Sequence, residues 1–471
     1  MMFKNYLLYL LPLSIASLFS LNSCEKVFEP DNYVAYFGGE IINPQENYVL
    51  FLKDDTIIDT LFLDENNRFL HKFDSLTPGL YTFRHNPEYQ YVYFDKNDSL
   101  MIRLNAYDFD NSLAFCGRGD EKNNFLIDLF LKNEESKAQL YDILEKPQDQ
   151  FITSIDSSFN KAKSFYLKRK AQIGWSEDFD NVAQASLNFN YYYKKELYPY
   201  AHKYKTGECI LKKLPDNFYS YRNNINYNDN NLANFSPFVK YVTVMLNNIT
   251  YKNCKGEHFD EMSLDNNIAK LNIVDTLIEN QKIKNIVLNN VAYMYLLEDQ
   301  NMYNNKKFID RYLELSTDKE QQQEVSQIYN SVQNLKIGNP LPKISLIDSL
   351  SNPIDIADLT HNKRTVVFFW TSHADSHLRI SHKKIQAIQL QHPELNFVAV
   401  NINDTKDTWM HELKKYNFKG VTELHANDFE EIKKQWVITK IHRTILLNPD
   451  GTIENAFANL FDIHFEKSLN Q

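Results

Sequence analysis

Imidazole is the chemistry-bearing side chain that this sequence concentrates. His373-Ala374-Asp375-Ser376-His377 sets two histidines four residues apart with a carboxylate between them, and His442 follows further along. Side chains at that spacing share a face when both lie on one helical turn. His373 and His377 with Asp375 between them are ligand types suited to Zn²⁺ or Cu²⁺. The same residues are read more simply as surface histidines, since His382 and His392 show that His is common in this stretch. Thiol chemistry has four candidates, Cys24, Cys116, Cys209 and Cys254, and no two of them form a CxxC pair. Cys209 and Cys254 fall in one helical stretch and can pair in an oxidising compartment. Nothing in the contexts Gly207-Glu208-Cys209 and Asn253-Cys254-Lys255 points by sequence alone to a lowered thiol pKa.

Other chemistries are excluded by what the chain lacks. No Gly-x-Ser-x-Gly elbow, His-Glu-x-x-His pair or deaminase signature occurs. Only 11 Gly are present, with no Walker or dinucleotide fingerprint. Glu430 and Glu431 are neighbours, so on a helix they diverge rather than act as an acid/base pair. The net charge of −10 opposes nucleic-acid binding, which needs a basic footprint.

These residues must be positioned by a chain of 471 residues with 29 Tyr and 32 Phe, enough apolar area for several cores. Residues 33–118 alternate with a strand period: Tyr33–Phe37, Tyr48–Leu52, Ile57–Leu63, Arg68–Phe73, Leu80–Arg84, Tyr89–Phe94 and Leu100–Leu104, separated by turn residues. That spacing predicts a small antiparallel sandwich or barrel. Residues 119–336 change to helical period, with Phe125, Leu126, Leu129 and Phe130, then Phe151, Ile155, Phe159, Ala162 and Phe165. Phe238, Val242, Met245 and Leu246, then Ile286, Val287, Val291, Met294 and Leu297, continue it. Tyr191-Tyr192-Tyr193 with Tyr198 and Tyr200 fit helix packing better than a binding groove. Residues 337–471 alternate strand and helix. Ile344–Ile347, Thr365–Trp370, Phe397–Asn401 and the hairpin Thr444–Glu454 are the strands, and helices run to about Gln391, over Thr408–Tyr416 and over Phe429–Gln435. The expected fold is therefore multidomain: an antiparallel β domain, an α-helical domain and a C-terminal α/β domain.

Three resemblances add to this. Lys4, the apolar run Tyr6–Phe19 and Leu21-Asn22-Ser23-Cys24 resemble the signal and lipobox of bacterial lipoproteins. The run has 14 residues, short of the roughly 20 that span a bilayer. The resemblance implies removal of residues 1–23, diacylglycerol on the Cys24 thiol, an acylated (palmitate-type) new amine and a tether over 24–32. Asp59-Thr60, Asn67-Arg68-Phe69, Gly79-Leu80-Tyr81 and Asp98-Ser99-Leu100 resemble the β domain that precedes thioredoxin-like domains in Bacteroidota lipoproteins. Gly338-Asn339-Pro340-Leu341-Pro342, Val367-Phe368-Phe369-Trp370-Thr371-Ser372 and Thr444-Ile445-Leu446-Leu447-Asn448-Pro449-Asp450-Gly451 resemble the TlpA/ResA type of thioredoxin-like domain.

In that family Trp-Cys-x-x-Cys follows the second of these motifs. Here Ala374 stands at the attacking cysteine and His377 at the resolving one. His442 stands where the family has a cis-proline, and it is expected to be trans because a non-proline cis bond costs about 2.5–4 kcal/mol. Thiol–disulfide exchange needs a thiolate, and residues 337–471 contain no cysteine. The resemblance therefore implies a redox-degenerate, non-catalytic lipoprotein of the cell envelope, facing the periplasm or the exterior and placed in the outer membrane. Its partners are the membrane, through its lipid, and a protein or peptide, with no nucleic acid and no cofactor beyond that lipid. The alternatives are exchange through the remaining cysteines, or metal binding by His373, His377 and His442, which the fold would bring across its groove.

Overall fold

The strand-period segment folds because its alternating side chains give each strand one apolar face to bury. The computed structural model describes residues 33–54, 56–253, 263–298, 302–360, 362–462 and 464–470. The signal segment, Cys24 and Cys254 lie outside them. Eight strands, β1 (Ala35–Ile42), β2 (Tyr48–Lys53), β3 (Thr56–Phe62), β4 (Arg68–Phe73), β5 (Gly79–His85), β6 (Glu88–Phe94), β7 (Ser99–Asn105) and β8 (Ala114–Arg118), make two four-stranded sheets. Their orders are β4-β1-β7-β8 and β3-β2-β5-β6. Phe37 lies at the centre of the core, with its ring 5.3–5.9 Å from those of Phe51, Phe69, Phe83 and Phe94. One pairing departs from the antiparallel expectation: β1 runs parallel to β7, Tyr36 opposite Ser99. Gly39 permits that approach, since a Cβ there would lie 2.2 Å from the Ile102 carbonyl oxygen.

The helical period is realised in Asp120–Ala138, Gln148–Ile173, Glu177–Thr206, Ser236–Asn253, Leu264–Leu277, Gln281–Glu298, Met302–Leu315 and Lys319–Asn334. Side-chain caps start several of these helices. Ser263 accepts from the Asn266 amide, and Asp318 accepts from those of Glu320 and Gln321. The described residues fall into two compact units. Those up to Lys132 with Phe165–Ala183 make the first, and Asn133–Ser164 with Gln184 onward make the second. The helical stretch is thus shared between units. In the first, Phe125 packs on Phe165 and Trp175, and Asn123 exchanges two hydrogen bonds with the Tyr93 backbone. Among the described residues no helix is long and apolar enough to cross a membrane.

The second unit ends in a seven-stranded sheet of order β10-β9-β13-β12-β11-β14-β15. It comprises β9 (Leu346–Ile347), β10 (Pro353–Ile354), β11 (Thr365–Trp370), β12 (Asn396–Asn401), β13 (Thr422–Ala426), β14 (Arg443–Leu447) and β15 (Ile453–Asn459). β11, β12 and β13 are parallel; β14 and β15 add antiparallel. This is the α/β architecture expected from the strand and helix order, in the thioredoxin-like arrangement that the motif resemblance implied. Every residue of β11 is buried, and its alternate side chains feed two cores. Val366, Phe368 and Trp370 face helix Asp375–Gln391, with Leu378 and Ile385. Val367 and Phe369 join Ile432 and Trp436, and also Val332 and Leu335 from the end of the helical stretch.

Candidate functional site

β11 delivers the chain to the turn that carries Ala374 and His377. Thr371 ends the strand, and its side chain accepts from the His373 amide at 3.4 Å. Ser372–Ala374 forms one 3₁₀ turn before helix Asp375–Gln391 begins. A fully buried carboxylate fixes that turn. Asp404, in the loop after β12, accepts from the Ser372 amide at 2.8 Å, the Ser372 hydroxyl at 2.5 Å and the Asn401 amide group at 2.6 Å. His373 Nε2 stands 3.5 Å from the same carboxylate, so this imidazole turns toward Asp404. His425 Nδ1 lies 2.9 Å from Asn401 Oδ1, and its ring stacks on Trp409.

Ala374 presents only a methyl group. His377, on the first helical turn, is half-buried, and neither ring nitrogen has a hydrogen-bond partner. The Phe461 ring stands edge-on to it at 5.6 Å. Burial, then the nearness of His442 and His382, pushes the His377 pKa from 6.5 down to about 4. His442 is half-buried and also shifted down, by burial and then by Lys440. The peptide bond before it is trans, the only cis bond among the described residues being Asn86–Pro87. Next to it, the buried Arg443 donates to the Ala456 and Val437 carbonyls and stacks on Phe457. That clamp holds Val437 at φ +53°, a conformation β-branched residues rarely adopt.

His377 and His442 are thus neighbours, while His373 is engaged elsewhere. Among the described residues no group of three or more His, Cys, Asp or Glu is placed to hold a metal ion, so the expected His373/His377/His442 ligand set is not assembled. Cys116 and Cys209 are exposed and free, with Cys209 Sγ 3.5 Å from the Tyr251 hydroxyl. Beneath the helix, Glu423 accepts from Trp370 Nε1 at 3.0 Å and lies 3.1 Å from His382 Nε2. Asp404, Asn401 and Glu423 were not singled out as site residues. Their signal is positional: Asn401 and Asp404 follow an apolar strand at its carboxyl end, where sites of open α/β sheets form.

The His377 shift has a measurable consequence. Below pH 6.5 an unfolded histidine takes up a proton that His377 refuses until about pH 4. Stability should therefore be level above pH 6.5 and fall as pH drops through that window. The loss should be about 1–2 kcal/mol after solvent screening. Urea midpoints measured across that range should show a shallower slope for His377→Leu than for the parent. His425 and His442, shifted the same way, supply the residue of the slope. Equal slopes would assign it entirely to other groups.

Comparison with known proteins agrees with this fold. Residues 362–453 match a family model described as thioredoxin-like. A thioredoxin-like protein from Bacteroides caccae is 16% identical with a TM-score of 0.36, over 53% of this chain and 90% of that one. The thioredoxin domain of a thiol-disulfide oxidoreductase from Bacteroides vulgatus is 18% identical with a TM-score of 0.25, over 29% and 96%. A thiol:disulfide interchange protein from Bacteroides sp. is 19% identical with a TM-score of 0.23, over 26% and 80%. No curated protein matches the chain.

Proposed function

We propose that this chain is a redox-inert, thioredoxin-like lipoprotein of a Gram-negative cell envelope. In this reading the lipid on Cys24 holds it to the outer membrane, and the groove between Ala374–His377 and His442 binds an extended segment of a protein partner. The observation that carries the reading is His377. Where a relative would carry a sulfur, this chain has a neutral imidazole with both nitrogens buried and unpartnered. An unsatisfied buried polar group costs roughly 1–3 kcal/mol, and a peptide backbone offers the missing donor and acceptor. The methyl of Ala374 leaves room beside it and contributes no nucleophile.

The test is a tagged pull-down of the full-length protein from detergent-solubilised membranes at native expression, with mass spectrometry. A stoichiometric partner retained by the parent and lost from Ala374→Arg, which fills the groove, supports the reading. A partner indifferent to Ala374→Arg would move recognition off this groove. A second expectation concerns anchoring. Cys24→Ala should shift the protein from the membrane fraction to the soluble fraction, because stable anchoring takes more than one acyl chain and the variant would carry none. Unchanged membrane association of Cys24→Ala would exclude the lipid anchor.

A further inference from the structure

Outside the groove, the helical part of the second unit encloses a cavity of about 500 Å³, within the size range of small-molecule sites. Its walls come mainly from helices Asp120–Ala138, Glu177–Thr206, Ser236–Asn253 and Gln281–Glu298. Three lysines line it, Lys137, Lys194 and Lys240, against one acid, Glu134. Lys137 already pairs with Glu134 at 3.2 Å. Lys194 is only 8% exposed, and its ammonium donates to the Ser136 hydroxyl at 2.6 Å. No carboxylate lies within ion-pair distance of Lys194 or Lys240 among the described residues. Desolvation lowers the pKa of both, and at Lys240 the neighbouring Lys137 adds to the effect while Glu134 opposes it. Lys194 is thus a buried ammonium without a counter-ion, which is costly unless an anion joins it, while Lys240 stands exposed on the same wall. The rest of the lining is of another character: Leu140, Val244 and Met294 are apolar. Met294, whose spacing assigned it to a core face, is instead 44% exposed.

We propose that this cavity binds a small amphipathic carboxylate, its head group against Lys194 and Lys240 and its apolar body against Leu140, Val244 and Met294. A carboxylate fits better than a phosphate, because the walls hold no arginine fork of the kind that suits phosphate recognition. Two unpaired ammonium groups oppose one head group, and the apolar wall favours a ligand with a hydrocarbon body over a free inorganic ion. The site is independent of the groove, so it stands or falls separately from the proposed peptide binding.

The probe is 4-phenylbutyrate, with 4-phenylbutylamine as the control of equal shape and opposite charge, titrated calorimetrically into the full-length protein. The carboxylate should bind and the amine should not. Raising salt should weaken binding less than it would for an exposed ion pair. Lys240→Met should weaken 4-phenylbutyrate about tenfold or more, as expected for loss of one charge-assisted hydrogen bond, while Lys240→Arg should keep most of it. Lys240 lies at the wall rather than in the core, so its variants should fold, which circular dichroism checks. Equal binding of the amine, an unchanged affinity in Lys240→Met, or no binding of the carboxylate at millimolar concentration would each overturn the proposal.

Discussion

An Ala374→Cys, His377→Cys double variant should acquire a disulfide that the parent cannot form, visible as loss of two hydrogens in the intact mass after mild oxidation. Ala374 is the N-cap of helix Asp375–Gln391 and His377 lies in its first turn. Positions three apart there have Cα atoms within the separation a disulfide bridges. The thiol placed by Ala374→Cys alone would sit at the helix N-terminus, which lowers thiol pKa. At pH 7 it should react with an alkylating agent about tenfold faster than an ordinary exposed thiol such as Cys116, because more of it is thiolate. The parent should show only background reduction of a disulfide substrate, and the double variant should exceed it. Exchange by the parent at the variant's rate would overturn the inert reading and point to Cys116 or Cys209.

Glu196→Ala should cost the fold about 3–5 kcal/mol, the range for breaking a buried ion pair from one side. The Glu196 carboxylate is fully buried. It accepts from Arg222 Nε and the Tyr221 hydroxyl, each at 2.7 Å, and from the Asn248 amide group at 2.7 Å. A second bond comes from Arg222 Nη2. Removing it strands a guanidinium, a phenol and an amide at once. The double variant Glu196→Leu, Arg222→Met should recover most of the loss, because an apolar pair of similar volume avoids the desolvation penalty. Urea unfolding of the three proteins decides between these outcomes; a double variant no better than Glu196→Ala would mean that Tyr221 and Asn248 carry the cost. Glu196 and Asn248 lie on two of the helices that wall the lysine cavity, so Glu196→Ala should weaken 4-phenylbutyrate as well.

The comparison of sequence with structure turns on where polar residues are buried. β11 was legible because all six of its residues are buried and apolar enough to show it. β13 was not, since Thr422-Glu423-Leu424-His425-Ala426 mixes charge with apolar residues. Glu423 and His425 are tolerated inside only because Trp370, His382 and Asn401 meet them from other elements. The turn itself could be located directly, as Ala374 and His377 follow at once on the apolar run of β11. Asp404, which fixes that turn, could not, because nothing local shows that its carboxylate is buried. Lys194-Lys195-Glu196 reads as a solvated charged face, yet Lys194 and Glu196 are buried. The tyrosines beside them behave as packing predicts: Tyr198 stacks on Phe151 at 3.7 Å and Tyr192 on Tyr221 at 4.2 Å. Tyr193, however, lines the cavity.

The parallel pairing of β1 with β7 also sets an order of events during synthesis. Tyr36 finds its partner only when Ser99 has been made, a gap of 63 residues, or roughly 3–13 s of elongation at about 5–20 residues per second. β4 can pair with the other side of β1 earlier, but the second edge of β1 stays unpaired until β7 emerges. The first unit then waits further for Phe165–Ala183. Until then the nascent amino-terminal half holds an aromatic surface that a holdase or translocation factor must cover, and a ribosome stalled before residue 99 would leave that half protease-sensitive.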